Sequence, residues 1–253
     1  MPASYAHYRF GKRLLPILPA DVRQTIQRFR RMYDMGLQGP DFFFYYNVLM
    51  KTAIGDLGKT FHRQTGQEFF TVAGKAAASD AAKAYLYGLL GHYCLDSTCH
   101  PFVNQLDKIG EARHVPLESE LERFLLALDK EPSPEAYDVS KHIRITRGEC
   151  MTVAEFFPGV SGGQVFWSIR SMAIAKKFLA NPKRQKSPLR DKLPGLYDQM
   201  IPAEENPDWV PYIRELNDLY EQALERYPQL LSQLTAHLET GEALDESFAP
   251  CFG

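Results

Sequence analysis

Apolar residues recur every three or four positions through most of this chain, the rhythm of amphipathic helices rather than the strict alternation of strands. Residues 21–33 place Val22, Phe29 and Met32 on that rhythm behind Asp21, whose side chain suits an N-cap. From Asp80 the sequence is rich in Ala and Leu with no proline before Pro101, which predicts a long, largely buried helix over about 80–100. Leu117, Leu121, Phe124, Leu125 and Leu128 share one face of a further helix, with Pro116 where helix starts tolerate proline. Residues 165–180 and 209–240 repeat the pattern, the second with a break expected at Pro228. No Asn-Gly or Asp-Gly turn joins alternating runs, and the β-like stretch at 142–145 is too short for a sheet. The pattern predicts an all-α fold, a multi-helix bundle.

The segment from Asn181 to Pro211 interrupts this, with prolines at 182, 188, 194, 202 and 207 and the basic run at 183–186. It reads as a long surface loop within a single domain spanning 1–253, because the sequence after it would make only a small second domain. The basic run reads as solvated surface. Of 253 residues 45% are hydrophobic, enough for a sizeable core, and the formal charge is −2, which argues against a nucleic-acid partner. No apolar run reaches the ~20 residues of a membrane span. The N-terminus lacks the apolar core of a secretory signal, and four cysteines are too few for a disulfide scaffold, so a cytoplasmic location is expected.

Chemistry concentrates at the end of the long helix. His92, Asp96 and His100 are spaced four and four, so each step rotates only ~40° and the three side chains line one stripe of an otherwise apolar element. Such groups, when buried, must be hydrogen-bonded or metal-bound, because an unpaired polar group costs several kcal/mol. Imidazole nitrogen and carboxylate oxygen are ligands that zinc takes. His114 and Glu118, again four apart, open the next helix and in an αα-hairpin would face the same pocket. Upstream stand His62, Asp41 directly after a Gly-Pro turn, and His7. A lone histidine on an apolar face is more often a satisfied core residue, but five candidate ligands on two adjacent helices favour metal binding. Cys94 and Cys99 point off the His92 stripe and read as packed thiols, and the aromatic run at 42–46 reads as core.

The order His7, Gly-Pro-Asp41, His62, then His-x3-Asp-x3-His-Pro, then His-x3-Glu resembles the zinc-dependent phospholipase C family over about residues 1–125. These are all-helical bacterial phosphodiesterases related in fold to single-strand nucleases. The resemblance implies one zinc held by Asp41, His62, His92 and Asp96 and a second held by His100, His114 and Glu118. It also implies a third position, shared by Asp96, His7 and the chain's amino terminus. That terminus reads Met-Pro-Ala-Ser, where secreted members present a processed tryptophan, so two zinc ions are expected and the third position is expected to be weak or empty. The implied activity is hydrolysis of a phospholipid or related phosphodiester, with Asp41 also orienting or deprotonating the attacking water. Transient membrane contact would follow from such a substrate. Two rival readings are a nuclease or nucleotidase of the same metal class, for which Arg9, Arg63 and Arg113 are the nearby cations, and a metal-binding protein without catalysis.

Overall fold

The computed structural model describes residues 3–47 and 52–253, and among them the backbone is helical, with Thr65 and Cys251 forming only an isolated antiparallel bridge. In chain order the helices are α1 (Ser4–Leu14), α2 (Ala20–Arg28), α3 (Arg30–Gly36), α4 (Ala53–Arg63), α5 (Gly66–Ala73) and α6 (Asp80–Ile109). There follow α7 (His114–Leu128), α8 (Arg147–Ala154), α9 (Gly162–Leu179), the short α10 (Pro194–Tyr197) and α11 (Val210–Thr240). Local chemistry sets many of these limits. Ser79 caps α6 by accepting from the Ala82 amide, and Thr65–Glu68, Thr146–Glu149 and Ser161–Gln164 are reciprocal capping boxes at the starts of α5, α8 and α9. Gly110, at φ 78°, ends α6 in the left-handed conformation that glycine adopts at little cost.

The all-helical expectation holds, but three helix boundaries differ. The expected helix over 21–33 is two helices: Phe29, at φ −119° and ψ 44°, breaks it, and Asp21 lies in the first turn of α2 instead of capping it. Both pieces pack on α6, and the break turns the chain along it. Pro101 does not end α6 at His100. A proline removes one amide and presses on the carbonyl four residues back, yet the turns beyond it bury Val103 and Leu106. Arg226 of α11 also grips the Ser97 and Thr98 hydroxyls just before the proline. Pro228 likewise sits inside an unbroken α11, flanked by buried Tyr227, Leu230 and Leu231. On α7, Leu117, Leu121 and Leu125 are buried as expected, while Leu128 is half exposed at the end of the helix.

Helix α6 forms the centre of the molecule, lined along its length by α1, α2, α3, α7, α8 and α11. Its closest neighbour is α3, and glycines make that approach possible. A methyl group on Gly36 would lie 2.1 Å from the Tyr85 carbonyl oxygen, and one on Gly88 would lie 2.1 Å from that of Tyr33. Phe42, Phe43 and Tyr45 are buried core as expected, whereas Phe44 is 38% exposed. No helix among the described residues is long and apolar enough to cross a membrane.

Gly88→Ala is therefore expected to force α3 off α6. Overpacking of this kind costs ~1–3 kcal/mol, a fall in Tm of roughly 2–12 °C for a chain of this size. An unchanged melting curve would show that the two backbones do not meet as described.

Candidate metal centre

The close packing of α3 on α6 delivers the chain to a 3₁₀ turn, Gly39–Tyr45, laid against the middle of α6. Gly39 adopts φ 52°, and a Cβ there would lie 2.2 Å from the His92 ring. Glycine is thus required for both conformation and space. The next residues place Asp41 beside His62, with His62 Nε2 2.9 Å from Asp41 Oδ1. His62 comes from the last turn of α4.

Around Asp96, fully buried on α6, three of its imidazole neighbours converge: His92 Nε2 at 3.1 Å, His7 Nε2 at 3.2 Å and His62 Nε2 at 3.8 Å. The rings of His7 and His92 stack with centroids 4.3 Å apart. One turn further along α6, His100 turns toward α7, its Nε2 3.6 Å from Glu118 Oε1, while His114 Nε2 lies 2.7 Å from the same oxygen. Within each of three sets, potential ligand atoms lie no more than 4.8 Å from one another: His7, Asp41 and His92; His62, His92 and Asp96; and His100, His114 and Glu118. All eight residues singled out by the sequence are brought together. Five of the chain's seven histidines are among them, while His142 pairs with Tyr137 and His237 with the Glu242 carbonyl. Met1, whose amino group the resemblance places at the third position, lies outside the described residues.

Three of the rings are oriented by backbone carbonyls. His62 Nδ1 lies 2.7 Å from the Gly58 carbonyl, His92 Nδ1 3.2 Å from that of Leu37, and His100 Nδ1 2.8 Å from that of Phe252. A carbonyl oxygen only accepts, so each Nδ1 carries the proton and each Nε2 presents a lone pair to the centre. Those Nε2 atoms, both Asp96 oxygens and both Glu118 oxygens are buried without a hydrogen-bond partner among the described residues. Buried polar atoms are nearly always satisfied, and convergent lone pairs with no donor between them are the environment that a cation completes. The donor set, imidazole nitrogen with carboxylate oxygen, fits zinc.

Burial opposes charge on the three carboxyls, but nearby positive charge outweighs it. Asp96, ringed by His92 and His100, is held well below the ordinary carboxylate range, and Glu118 is brought down to about 2 by His100 and His114; Asp41 is held low as well, with His62 and His92 among the contributors. Burial also keeps His92 below its ordinary value, favouring the neutral ligand form. By contrast burial pushes the Cys94 thiol up to about 12, and Cys94 and Cys99 are enclosed in the core, as expected of packed thiols.

Supporting groups escaped the sequence reading. The Leu37, Gly58 and Phe252 carbonyls belong to the backbone and leave no mark in side-chain pattern. The last of these comes from the far end of the chain, where the Gly253 amide also donates to the His62 carbonyl. Phe252 is buried among Phe69, Phe70 and Tyr93, which holds its carbonyl in place. Glu122, one turn beyond Glu118 on α7, accepts from the Tyr5 amide at the start of α1 and so fixes the helix that carries His7. Burial raises the Glu122 carboxyl above its ordinary range, while Lys176 of α9 works in the opposite direction. Its signal was a glutamate in register with Glu118, four positions on.

Beside the centre opens a cleft of about 420 Å³. Asp41, His62, His100 and His114 line its floor, with Lys59 and Arg63 at its side and Phe44, Tyr45 and Val115 as an apolar wall. Of the three arginines weighed for nucleic-acid contact, Arg9 is paired with Asp129 and Arg113 with Asp198, leaving Arg63 in the cleft.

Comparison with known families finds a match to zinc dependent phospholipase C over residues 6–157, more than half of the chain and inclusive of all eight residues of the centre. No curated protein and no solved structure gives a significant match.

Zinc added to chelator-treated protein should raise its Tm, because a ligand that binds only the folded state stabilises that state. Phe252→Ala, which frees the carbonyl behind His100, should weaken zinc binding by ~10–100-fold, the usual cost of losing an outer-shell partner. Zinc affinity unchanged in Phe252→Ala, measured by competition with a chromophoric chelator, would remove the chain's far end from the centre.

Proposed function

The chain belongs to the zinc-dependent phospholipase C family and is therefore a hydrolase, and from that premise we propose that it cleaves the head-group phosphodiester of a phospholipid at the cleft over α6 and α7. The observation that carries this reading is the set of unpartnered, convergent Nε2 and carboxylate atoms beside a cleft that His62 and His100 of that set line. In this reading Asp41, His62, His92 and Asp96 hold one zinc, and His100, His114 and Glu118 hold a second. His7 and Asp96 supply only part of a shell for a third, an incomplete site for tight binding. Zinc in these positions supplies a water activated near neutral pH and positive charge for the phosphate oxygens.

The chain's own side chains do the rest. Asp41 belongs to both the buried cluster and the cleft floor, so its carboxylate orients the attacking water and receives its proton. Lys59 and Arg63 bind the phosphate oxygens left exposed at the cleft side. Phe44, Tyr45 and Val115 offer the apolar wall against which the glycerol and first acyl carbons pack. The backbone-held rings of His62, His92 and His100 keep the floor fixed while charge builds on phosphorus.

The test is hydrolysis of phosphatidylcholine and of a chromogenic phosphodiester, with and without chelator. Activity on both that chelator abolishes and zinc restores is expected, with His92→Ala reducing it by ~1,000-fold or more. His7→Ala should reduce activity less and leave about two zinc ions bound. Chelator-insensitive turnover, or preference for single-stranded DNA over both diesters, would overturn the reading. Loss of a full zinc equivalent in His7→Ala, with as much activity lost as in His92→Ala, would establish the third site as complete.

A further inference from the structure

One long stretch of the chain carries cations without acids. Between Glu155 and Asp191 there is no Asp or Glu, while seven Lys and Arg occur, in a protein whose formal charge is −2. This stretch contains α9 and the start of the proline-rich loop, and none of it was needed for the centre. The side of α9 turned away from the core carries Trp167, Arg170, Ile174 and Lys177 at helical spacing of three and four. Trp167 is 58% exposed and Ile174 is 60% exposed, unusual for residues of that size on a surface helix.

The neighbourhood extends both features. Met151 of α8, 61% exposed, packs against Gly162 at the start of α9 and adds a further exposed apolar side chain beside this helix. Arg147 lies over the Phe166 ring, and Arg184 lies over that of Phe178 with its guanidinium carbon 3.7 Å from the ring centre. In the loop that follows α9, Leu189 is also exposed. Among the described residues Arg170, Lys177, Lys183, Arg184, Lys186 and Arg190 form no ion pair. The acidic group nearest on α8, Glu149, is already engaged by Arg31. The seventh cation, Lys176, faces inward and is buried near Glu122.

We propose that this face of α9, with the loop that follows, adsorbs to an anionic lipid surface. Large apolar side chains flanked by unpaired cations are what an interfacial helix presents: the apolar groups enter the boundary between head groups and acyl chains, and the cations meet the negative surface. Charge complementarity selects anionic lipid over zwitterionic lipid. The protruding aliphatic side chains of Ile174 and Met151 select a surface they can enter over a nucleic acid, whose bases stack on aromatic faces and gain little from exposed aliphatic groups. Helix α9 packs by its inner side on the turn Gly39–Tyr45, so adsorption would set the membrane one helix away from Asp41. The inference does not rest on catalysis, because adsorption requires neither zinc nor a cleavable bond.

The experiment measures partition of the zinc-loaded full chain onto vesicles of phosphatidylcholine alone and of phosphatidylcholine with about one-third phosphatidylglycerol. Binding at least ~10-fold stronger to the anionic vesicles, and weakened by added salt, is expected. With Trp209→Phe leaving Trp167 as the sole tryptophan, emission should shift to the blue on anionic vesicles. Arg170→Glu with Lys177→Glu, and separately Trp167→Ala with Ile174→Ser, should each reduce binding by ~10-fold or more. Both double variants should melt as the parent does and hydrolyse a soluble phosphodiester at the parent rate. Equal binding to the two vesicle types, parent-like binding by either double variant, or tighter binding to an RNA oligonucleotide than to anionic vesicles would overturn the proposal. Vesicle binding by a chain that hydrolyses no diester would overturn the reading of the centre and leave this one standing.

Discussion

Asp96 has no exposed surface, sits in the middle of the central helix α6, and faces imidazole nitrogens instead of hydrogen-bond donors. An isolated carboxylate in that position would cost many kcal/mol. The arrangement is tenable only because positive charge is supplied to it, by protons on the histidines or by a bound cation. Much of the surrounding structure bears on this point. The glycine contact between α3 and α6 brings the Gly39–Tyr45 turn within reach, α7 carries Glu118 to the second set, and α1 brings His7 to stack on His92. A fold that places three carboxylates and five histidines around one helix is organised by charge as much as by apolar packing.

The same logic explains the groups behind the centre. Carbonyl oxygens from three separate segments take the Nδ1 protons, so the Nε2 lone pairs all point inward. One segment is the far end of the chain, anchored by Phe252 in an aromatic cluster that has no chemistry of its own. Glu122 performs a related service for α1. The family match ends at residue 157, and the Phe252 contribution lies beyond it.

Side-chain rhythm makes the helices readable, and four-residue spacing alone places His92, Asp96 and His100 on one stripe. Ordered histidines and acids then tied Asp41, His62, His7, His114 and Glu118 to that stripe. What rhythm could not show was where tertiary packing overrides local preference. Pro101 and Pro228 remain inside helices because buried neighbours on both sides outweigh one lost amide each. Phe29 breaks a pattern that looks continuous, because both halves must lie against α6. The carbonyls of Leu37, Gly58 and Phe252 were beyond reach for another reason: a backbone acceptor is the same at every residue, and only the fold decides which ring it meets. The acid-free stretch between Glu155 and Asp191 was present in the sequence, but its meaning depended on which side of α9 faces outward.

Zinc-edge anomalous diffraction from crystals grown with zinc tests the central claim most directly. The account predicts two strong peaks ~3.5–6 Å apart, one among Asp41, His62, His92 and Asp96 and the other among His100, His114 and Glu118. Their absence at both positions, with zinc bound only at the protein surface, would contradict it.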